Sequence, residues 1–154
     1  MARSFSRREF LARGAAAAAT ASAIPSLLSA QAAPAMMVYK YPNCGCCKTW
    51  VTLMRNAGFE ISARDTADMP AIKQRYKVPE ALGSCHTALV GGYVVEGHVP
   101  ADLITRLLKE KPKVLGLAVP GMPIGSPGME GGTKEAYDVL TFDAAGKTTV
   151  FARR

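Results

Sequence analysis

Residues 41–50, Tyr-Pro-Asn-Cys-Gly-Cys-Cys-Lys-Thr-Trp, decide the fold, because they place three of the four cysteines of the chain between two different structural patterns. The apolar run before them, Met36 to Tyr41, is rich in β-forming residues and predicts a strand that ends at Pro42. From Cys46 to Ala57, apolar side chains recur at helical spacing, and Gly58 is a helix stop signal. The cysteines are therefore predicted to lie at a strand-to-helix turn.

The remaining patterns predict an α/β fold. They indicate a strand from Phe59 to Arg64 and a short helix from Met69 to Tyr76. A hairpin follows, with strands from Thr87 to Val90 and from Tyr93 to Glu96, and a longer helix runs from Pro100 to the lysines before Pro112. This order, with cysteines at the first strand-to-helix turn, is typical of a thioredoxin-like domain, which we place at residues 33–112. A Gly/Pro-rich loop from Gly116 to Gly132 and a β-hairpin, Asp138 to Phe142 with Thr148 to Ala152, are predicted as a C-terminal extension of the same domain, residues 113–154.

The first 32 residues have the pattern of a cleaved export signal. A basic start is followed by an Ala-rich apolar run from Gly14 to Leu28, and Ala30-Gln31-Ala32 matches a small-x-small cleavage site. Within this segment, Ser6-Arg7-Arg8-Glu9-Phe10-Leu11 resembles the bacterial twin-arginine signal, and an ordinary secretory signal is the alternative. Either route ends in an oxidising space, so the predicted location is the periplasm.

Charge and hydropathy exclude several classes of partner. The whole chain has 19 basic and 12 acidic residues, and removal of the signal takes away four arginines and one glutamate, which leaves 15 and 11 and a formal charge of +4. Because the basic residues are scattered along the chain, no nucleic-acid-binding surface is predicted. The segment after residue 32 contains no apolar stretch long enough to span a membrane. We also expect the protein to be a monomer.

Cys44 and Cys47 have the C-x-x-C spacing of thiol redox proteins, and Cys46 adds a third thiol between them. At a helix N-terminus, unpaired N–H groups and the helix dipole stabilise thiolates. Gly45 is expected to allow the tight turn that brings the three sulfurs together. The alternative is a plain structural disulfide, Cys44 to Cys47, with Cys46 merely packed.

The fourth cysteine, Cys85, directly precedes the predicted third strand and is followed by His86. In thioredoxin-like folds a cis-proline occupies this position and faces the C-x-x-C turn, so that resemblance implies that Cys85 and His86 face the other sulfurs. Pro79 is the alternative candidate for that proline, but it lies too early in the chain to abut the strand. A soft ligand in place of the proline predicts a metal pocket.

The donor set favours copper. Thiolates select Cu(I), zinc or iron-sulfur clusters, and thioethers favour copper. The predicted Gly/Pro loop supplies thioethers at Met122 and Met129, each in a Pro-Gly-Met repeat, although methionine also commonly covers apolar surface. Adjacent cysteines fit a closed tetrahedral zinc site poorly, and an oxidising compartment disfavours an iron-sulfur cluster. We therefore predict a polynuclear copper-thiolate centre, with His86 as a ligand and with the role of His98 left open.

Four segments together resemble the CopG family of bacterial copper-resistance proteins: Tyr41-Pro42-Asn43-Cys44-Gly45-Cys46-Cys47, Ser84-Cys85-His86-Thr87-Ala88, Glu96-Gly97-His98-Val99-Pro100 and Gly121-Met122-Pro123 to Gly128-Met129-Glu130. The resemblance implies a thioredoxin-like domain whose C-terminal extension helps to bind metal. It also implies a cysteine-bridged copper cluster with a role in interconverting Cu(I) and Cu(II) before export. We expect periplasmic copper-efflux components as partners.

Three functions are compatible with these residues. The first is a redox-active copper protein with metal ligands Cys44, Cys46, Cys47, Cys85, His86, Met122 and Met129, in which Cys44 and Cys47 also serve as the catalytic pair. The second is a thiol-disulfide oxidoreductase that uses Cys44 and Cys47 on protein substrates. The third is a passive copper carrier or buffer.

Overall fold

A seven-stranded mixed β-sheet forms the centre of the fold in the computed structural model, which describes residues 33–154; the predicted export signal lies outside the described residues. The strands are β1 (Ala35–Lys40), β2 (Glu60–Asp65), β3 (His86–Val90), β4 (Tyr93–Glu96), β5 (Gly116–Ala118), β6 (Asp138–Phe142) and β7 (Thr148–Arg153). The helices are α1 (Gly45–Asn56), α2 (Met69–Arg75) and α3 (Ala101–Glu110), with a 3-10 turn at Glu80–Leu82. The strand order across the sheet is β2-β1-β3-β4-β5-β6-β7.

The strands and helices predicted from the sequence are all present, with ends that differ by no more than one residue. In the first half of the sheet, β1 pairs in parallel with β2 and antiparallel with β3, and β3 pairs antiparallel with β4. The periodic patterns succeeded because each of these elements buries a regular apolar face. The mixed α/β class is thereby confirmed.

One strand was missed, and the prediction that Gly116 to Gly132 is entirely a loop is wrong at its start. Residues Gly116–Ala118 form β5, which pairs in parallel with β4 and antiparallel with β6. Leu117 and Ala118 are fully buried there. Because β6 in turn pairs with β7, the C-terminal segment continues the central sheet as well as supplying a loop.

Buried apolar side chains form two clusters. The larger cluster contains Trp50 and Met54 of α1 and Ile104 and Leu107 of α3, all almost completely buried, together with strand residues such as Val38. Each such side chain contributes about 1.5–3 kcal/mol of hydrophobic stabilisation. This packing fixes α1 on the sheet, and with it the cysteines at the N-terminus of α1.

Within the part of the chain that the structure describes, no helix combines the length and the apolarity that a membrane span requires.

Candidate metal centre

The sulfurs of Cys44, Cys46, Cys47 and Cys85 form one group, here called the sulfur cluster, in which all four atoms lie within 4.8 Å of one another. The Sγ atom of Cys46 is 3.4 Å from that of Cys44 and 3.8 Å from that of Cys85. Cys44 and Cys47 are joined by a disulfide, and Cys46 and Cys85 are free thiols. The structure thus brings the four predicted sulfurs together, and use of all four as thiolates requires reduction of the Cys44–Cys47 bond.

The N-terminus of α1 holds three of these sulfurs. Cys44 is the N-cap residue, and its sulfur accepts the backbone N–H of Cys47 at 3.2 Å. The helix dipole favours negative charge at this end, which suits thiolate ligands. The role expected for Gly45 was wrong, because its φ is not positive and a Cβ placed there would meet no atom within 4 Å.

Sheet topology carries Cys85 to the same place. Strand β3 runs antiparallel to β1 with His86 opposite Lys40, so the residue before β3 lies beside the residues that follow β1. Pro79 stands instead at the start of the 3-10 turn, and Cys85 is the residue that faces the cluster. Burial, followed by the neighbouring thiol of Cys46, raises the pKa of Cys85 to about 12. A metal that binds this sulfur must therefore displace a proton.

His98 is a component of the site that the sequence left open. Its Nε2 atom lies 2.9 Å from the Sγ of Cys85, while its Nδ1–H donates to the carbonyl oxygen of Pro127 at 2.8 Å. The side chain is fully buried, and burial lowers its pKa, which favours the neutral form of the ring. A carbonyl on one ring nitrogen orients the other nitrogen as a ligand, which is the usual arrangement behind a metal-bound histidine.

His86, predicted as a ligand, is buried beside the same sulfur. Its Nδ1 lies 3.4 Å from the Sγ of Cys85, and its ring centroid is 4.3 Å from that of Trp50 and 5.0 Å from that of His98. Burial, and then the proximity of His98 and Lys73, holds the pKa of His86 well below its usual range. Its Nε2 atom has no hydrogen-bond partner among the described residues, so the neutral ring has an unused donor or acceptor.

Cys85, His86 and His98 form a second group of potential ligand atoms within 4.8 Å of one another. Cys85 belongs to both groups, so the sulfur cluster and the two imidazoles make one continuous set of sulfur and nitrogen donors. Soft donors of this kind suit Cu(I), and imidazole also suits Cu(II). Carboxylate oxygens, which harder cations prefer, are absent from both groups among the described residues.

The loop between β5 and β6, residues 119–137, is here called the covering loop, because it crosses the N-terminus of α1. Gly128 has a φ of +88°, and a Cβ there would stand 2.7 Å from the carbonyl oxygen of Cys46. Near the other repeat, the Oγ of Ser84 donates to the carbonyl oxygen of Gly121. The loop backbone beside both methionines therefore contacts the site, while the side chain of Met122 is 50% exposed and that of Met129 is partly buried.

Two solved structures resemble this fold. Copper resistance protein CopG in its form 2 has 45% sequence identity and a TM-score of 0.76, with 79% of this chain and 98% of that chain covered. The chain belongs to the CopG family. Form 1 of CopG matches with 45% identity and a TM-score of 0.74, over 78% of this chain and 96% of that chain. Residues 82–129 also match a family described as a protein of unknown function, DUF411. Among curated proteins no match is found.

The segment matched by the DUF411 family, residues 82–129, contains every candidate ligand of this CopG-family chain that lies outside α1 and its N-cap. It begins before Cys85 and ends at Met129, so it includes both histidines and both Pro-Gly-Met repeats. His86 is the first residue of β3, Cys85 directly precedes it, His98 follows the end of β4 by two residues, and both methionines lie in the covering loop. The matched segment therefore contains the whole second group of potential ligand atoms, Cys85, His86 and His98.

Two parts of the site in this CopG-family chain have weak sequence signals or none. The carbonyl oxygen of Pro127, which orients His98, leaves no signal in the sequence because every residue has a carbonyl group. The buried carboxylate of Glu96 contacts the backbone next to Cys85, with Ser84 N at 2.6 Å from Glu96 Oε1. An acidic residue at the end of an apolar strand, two residues before a histidine, was the available signal.

Proposed function

We propose that this CopG-family chain is a periplasmic copper-binding protein of copper resistance, built on a thioredoxin-like core. In this proposal it holds a cysteine-bridged cluster of copper ions and interconverts Cu(I) and Cu(II). Copper ions are its cargo, periplasmic copper-efflux components are the partners that receive them, and the protein acts as a monomer. The twin-arginine segment would export it already folded.

The observation that carries the proposal is the position of Cys85 between the two ligand groups. Its sulfur lies 3.8 Å from that of Cys46 on one side and 2.9 Å from the Nε2 of His98 on the other. A sulfur between separate donors can bridge two ions, because a thiolate has more than one lone pair. The arrangement thus supports a cluster better than a single closed site.

The redox part of the proposal uses Cys44 and Cys47. Two Cu(II) ions become two Cu(I) ions when they take two electrons, and two thiolates supply these as they form a disulfide. The structure contains a disulfide between this pair. Another turnover then needs an external dithiol that reduces the bond. In the opposite direction the Cys44–Cys47 disulfide takes two electrons from two Cu(I) ions, which become Cu(II), and an external disulfide must reoxidise the two thiolates before the next turnover.

A second candidate function is favoured by the same disulfide. Cys44 and Cys47 stand at the N-terminus of a helix in C-x-x-C spacing, as in thiol-disulfide oxidoreductases that act on proteins. Against this candidate, Cys46 and Cys85 remain free beside the disulfide and would have no role. A passive copper carrier would use the same ligands without turnover.

The first test measures copper stoichiometry. We expect the reduced protein, without its signal, to bind more than one Cu(I) ion with all four thiols protected from alkylation, because the sulfurs are close enough to bridge. Metal analysis gives the number of copper ions per protein, and mass spectrometry after treatment with N-ethylmaleimide gives the number of protected thiols. Binding of a single ion, with two cysteines freely alkylated, would contradict the cluster.

The role of Met122 and Met129 is tested by conversion of both to leucine, which keeps bulk and removes only sulfur. We expect roughly 10- to 100-fold weaker Cu(I) retention, the usual effect of losing a weak ligand or an outer group around a metal. Competition with a Cu(I) chelator measures the affinity, and urea unfolding checks the fold. Met37→Leu in β1 is the matched control. Unchanged affinity, spectrum and reduction potential would make both methionines packing groups.

A further inference from the structure

The carboxylate of Glu96 is fully buried and accepts hydrogen bonds from three directions. The backbone N–H of Ser84 donates to Oε1 at 2.6 Å, and the hydroxyl of Thr87 donates to Oε2 at 2.7 Å. The ammonium group of Lys73 in α2 forms an ion pair with the same carboxylate and also donates to Thr87 Oγ1 at 3.2 Å. Both oxygens are thereby hydrogen-bonded, as a buried charge requires.

The donors to this carboxylate bracket two candidate ligands. Ser84 directly precedes Cys85, and Thr87 directly follows His86. Glu96 is the last residue of β4 and stands two residues before His98, and its carbonyl oxygen accepts the N–H of Val119 at the start of the covering loop. One buried residue therefore connects α2, the Cys85 segment, the His98 segment and the covering loop.

The segment around Ser84 is closely packed, so its position depends on the hydrogen bond from Ser84 N–H to the carboxylate of Glu96. A Cβ on Gly97 would lie 2.6 Å from the Cβ of Ser84 and 2.7 Å from the carbonyl oxygen of Val119. The hydroxyl of Ser84 also donates to the carbonyl oxygen of Gly121. A shift at Ser84 would thus move both the sulfur of Cys85 and the covering loop.

We propose that Glu96 is a positioning residue for the metal centre, because its carboxylate fixes the backbone at Ser84 and so places the Sγ of Cys85 between Cys46 and His98. The inference rests on the proposed copper function for its effect on metal, although the placement of Cys85 can be measured without metal. Glu96 acts through Ser84 and contacts none of the candidate ligand atoms of the two groups.

A purely structural role for Glu96 predicts a different outcome. Replacing a buried ion pair with apolar residues of similar size is often neutral for stability. If Glu96 and Lys73 only fill the interior, an apolar pair should support copper binding as well as the native pair does. If Glu96 positions Cys85, the apolar pair should fold and bind copper poorly.

The experiment compares two double variants that differ at a single position. Glu96→Gln/Lys73→Met keeps a carbonyl oxygen that can accept the N–H of Ser84, whereas Glu96→Leu/Lys73→Met does not. We expect the leucine variant to bind Cu(I) roughly 10- to 100-fold more weakly than the glutamine variant, the range found when an orienting group behind a metal ligand is lost. Glu110→Gln, which breaks an exposed ion pair on α3, is the control.

Two readouts accompany the affinity measurement. Urea unfolding reports stability, and the rate at which N-ethylmaleimide alkylates Cys85 in the metal-free reduced protein reports the placement of its sulfur. The leucine variant should remain folded, with a lower unfolding midpoint than the glutamine variant because the N–H of Ser84 and the hydroxyl of Thr87 lose their acceptor. Its Cys85 should be alkylated at a clearly different rate. Equal alkylation rates and equal copper affinities in the two variants would overturn the proposal.

Failure of the copper function is separately visible. If the wild-type protein binds no copper while the alkylation rates still differ, the positioning role of Glu96 stands and the proposed copper function is wrong.

If the leucine variant does not fold, Thr87→Val takes its place, because it removes one hydrogen-bond donor to Glu96 with little change of size. We expect roughly 3- to 10-fold weaker Cu(I) binding in that variant, the equivalent of one hydrogen bond. Wild-type affinity in folded Thr87→Val would overturn the proposal.

Discussion

Replacing Cys85 with serine is expected to abolish tight copper binding while the protein remains folded. Cys85 is the sulfur shared by both groups of ligand atoms, so its loss separates the cysteines of α1 from the two histidines. Removal of a group that merely supports a ligand costs about 10- to 100-fold in affinity, and a bridging ligand should cost at least the upper figure. Serine is close in size to cysteine, and Cys85 is only partly buried, so the unfolding midpoint should change little.

Cys46→Ser is the matched comparison, because Cys46 belongs to the sulfur cluster alone. For the proposed cluster we expect this variant to lose the copper-thiolate absorption and to retain at most one ion, at the group formed by Cys85, His86 and His98. Both variants leave Cys44 and Cys47 able to form their disulfide. Chelator competition, absorption spectra and an assay of disulfide reduction in a substrate protein distinguish the candidate functions.

Two results would favour the thiol-disulfide oxidoreductase over the copper protein. One is wild-type copper binding in both serine variants, which would remove Cys46 and Cys85 from the site. The other is disulfide-reductase activity that is high in the wild type and unchanged in both variants. Loss of copper in Cys85→Ser, with weak reductase activity throughout, is the result expected for the copper protein.

Gly116→Ala is expected to have the largest effect on stability. A Cβ there would stand 1.9 Å from the carbonyl oxygen and 2.7 Å from the carbonyl carbon of Val94 in β4. These are backbone atoms, so they cannot move without disrupting the pairing of β4 with β5. We expect a loss of about 3 kcal/mol or more in the free energy of unfolding, at the upper end for overpacking of an interior. Urea unfolding measures it.

The same variant should weaken copper binding, because β5 leads directly into the covering loop. Gly45→Ala is the control for the cost of an added methyl group, since a Cβ at Gly45 meets no atom within 4 Å. At that helical position alanine should leave stability unchanged or raise it by about 0.5–1 kcal/mol. Wild-type stability in Gly116→Ala would contradict the pairing of β4 with β5.

The sequence was sufficient to predict the regular elements other than β5, and to predict the cysteine turn. Strand β1, helix α1 and helix α3 each bury a periodic apolar face, and that period is a local property of the chain. The spacing of Cys44, Cys46 and Cys47 at a helix N-terminus is equally local, as is the Cys85-His86 pair at the start of β3. Local patterns alone are therefore enough to single out the four sulfurs.

Other features depend on pairings between distant parts of the chain. Strand β5 has only three residues and is stabilised by β4 and β6, so its short apolar run resembles the beginning of a loop. The local pattern indicates a need for glycine at Gly45, whereas the close backbone approaches occur at Gly116 and Gly128. A close approach involves a second segment, which the pattern around a glycine does not reveal.

The sequence by itself determined the types of the candidate ligands, their order along the chain and the helix N-terminus at which three of them lie. Only the tertiary structure decided that His98 faces Cys85, that Pro127 orients His98 and that Glu96 holds the segment before Cys85. Spacing within a turn or a helix follows from local backbone geometry, so the sequence contains it. Distances between residues that are 12 to 39 positions apart arise when strands pair and a loop packs over a helix, and they are therefore properties of the assembled fold.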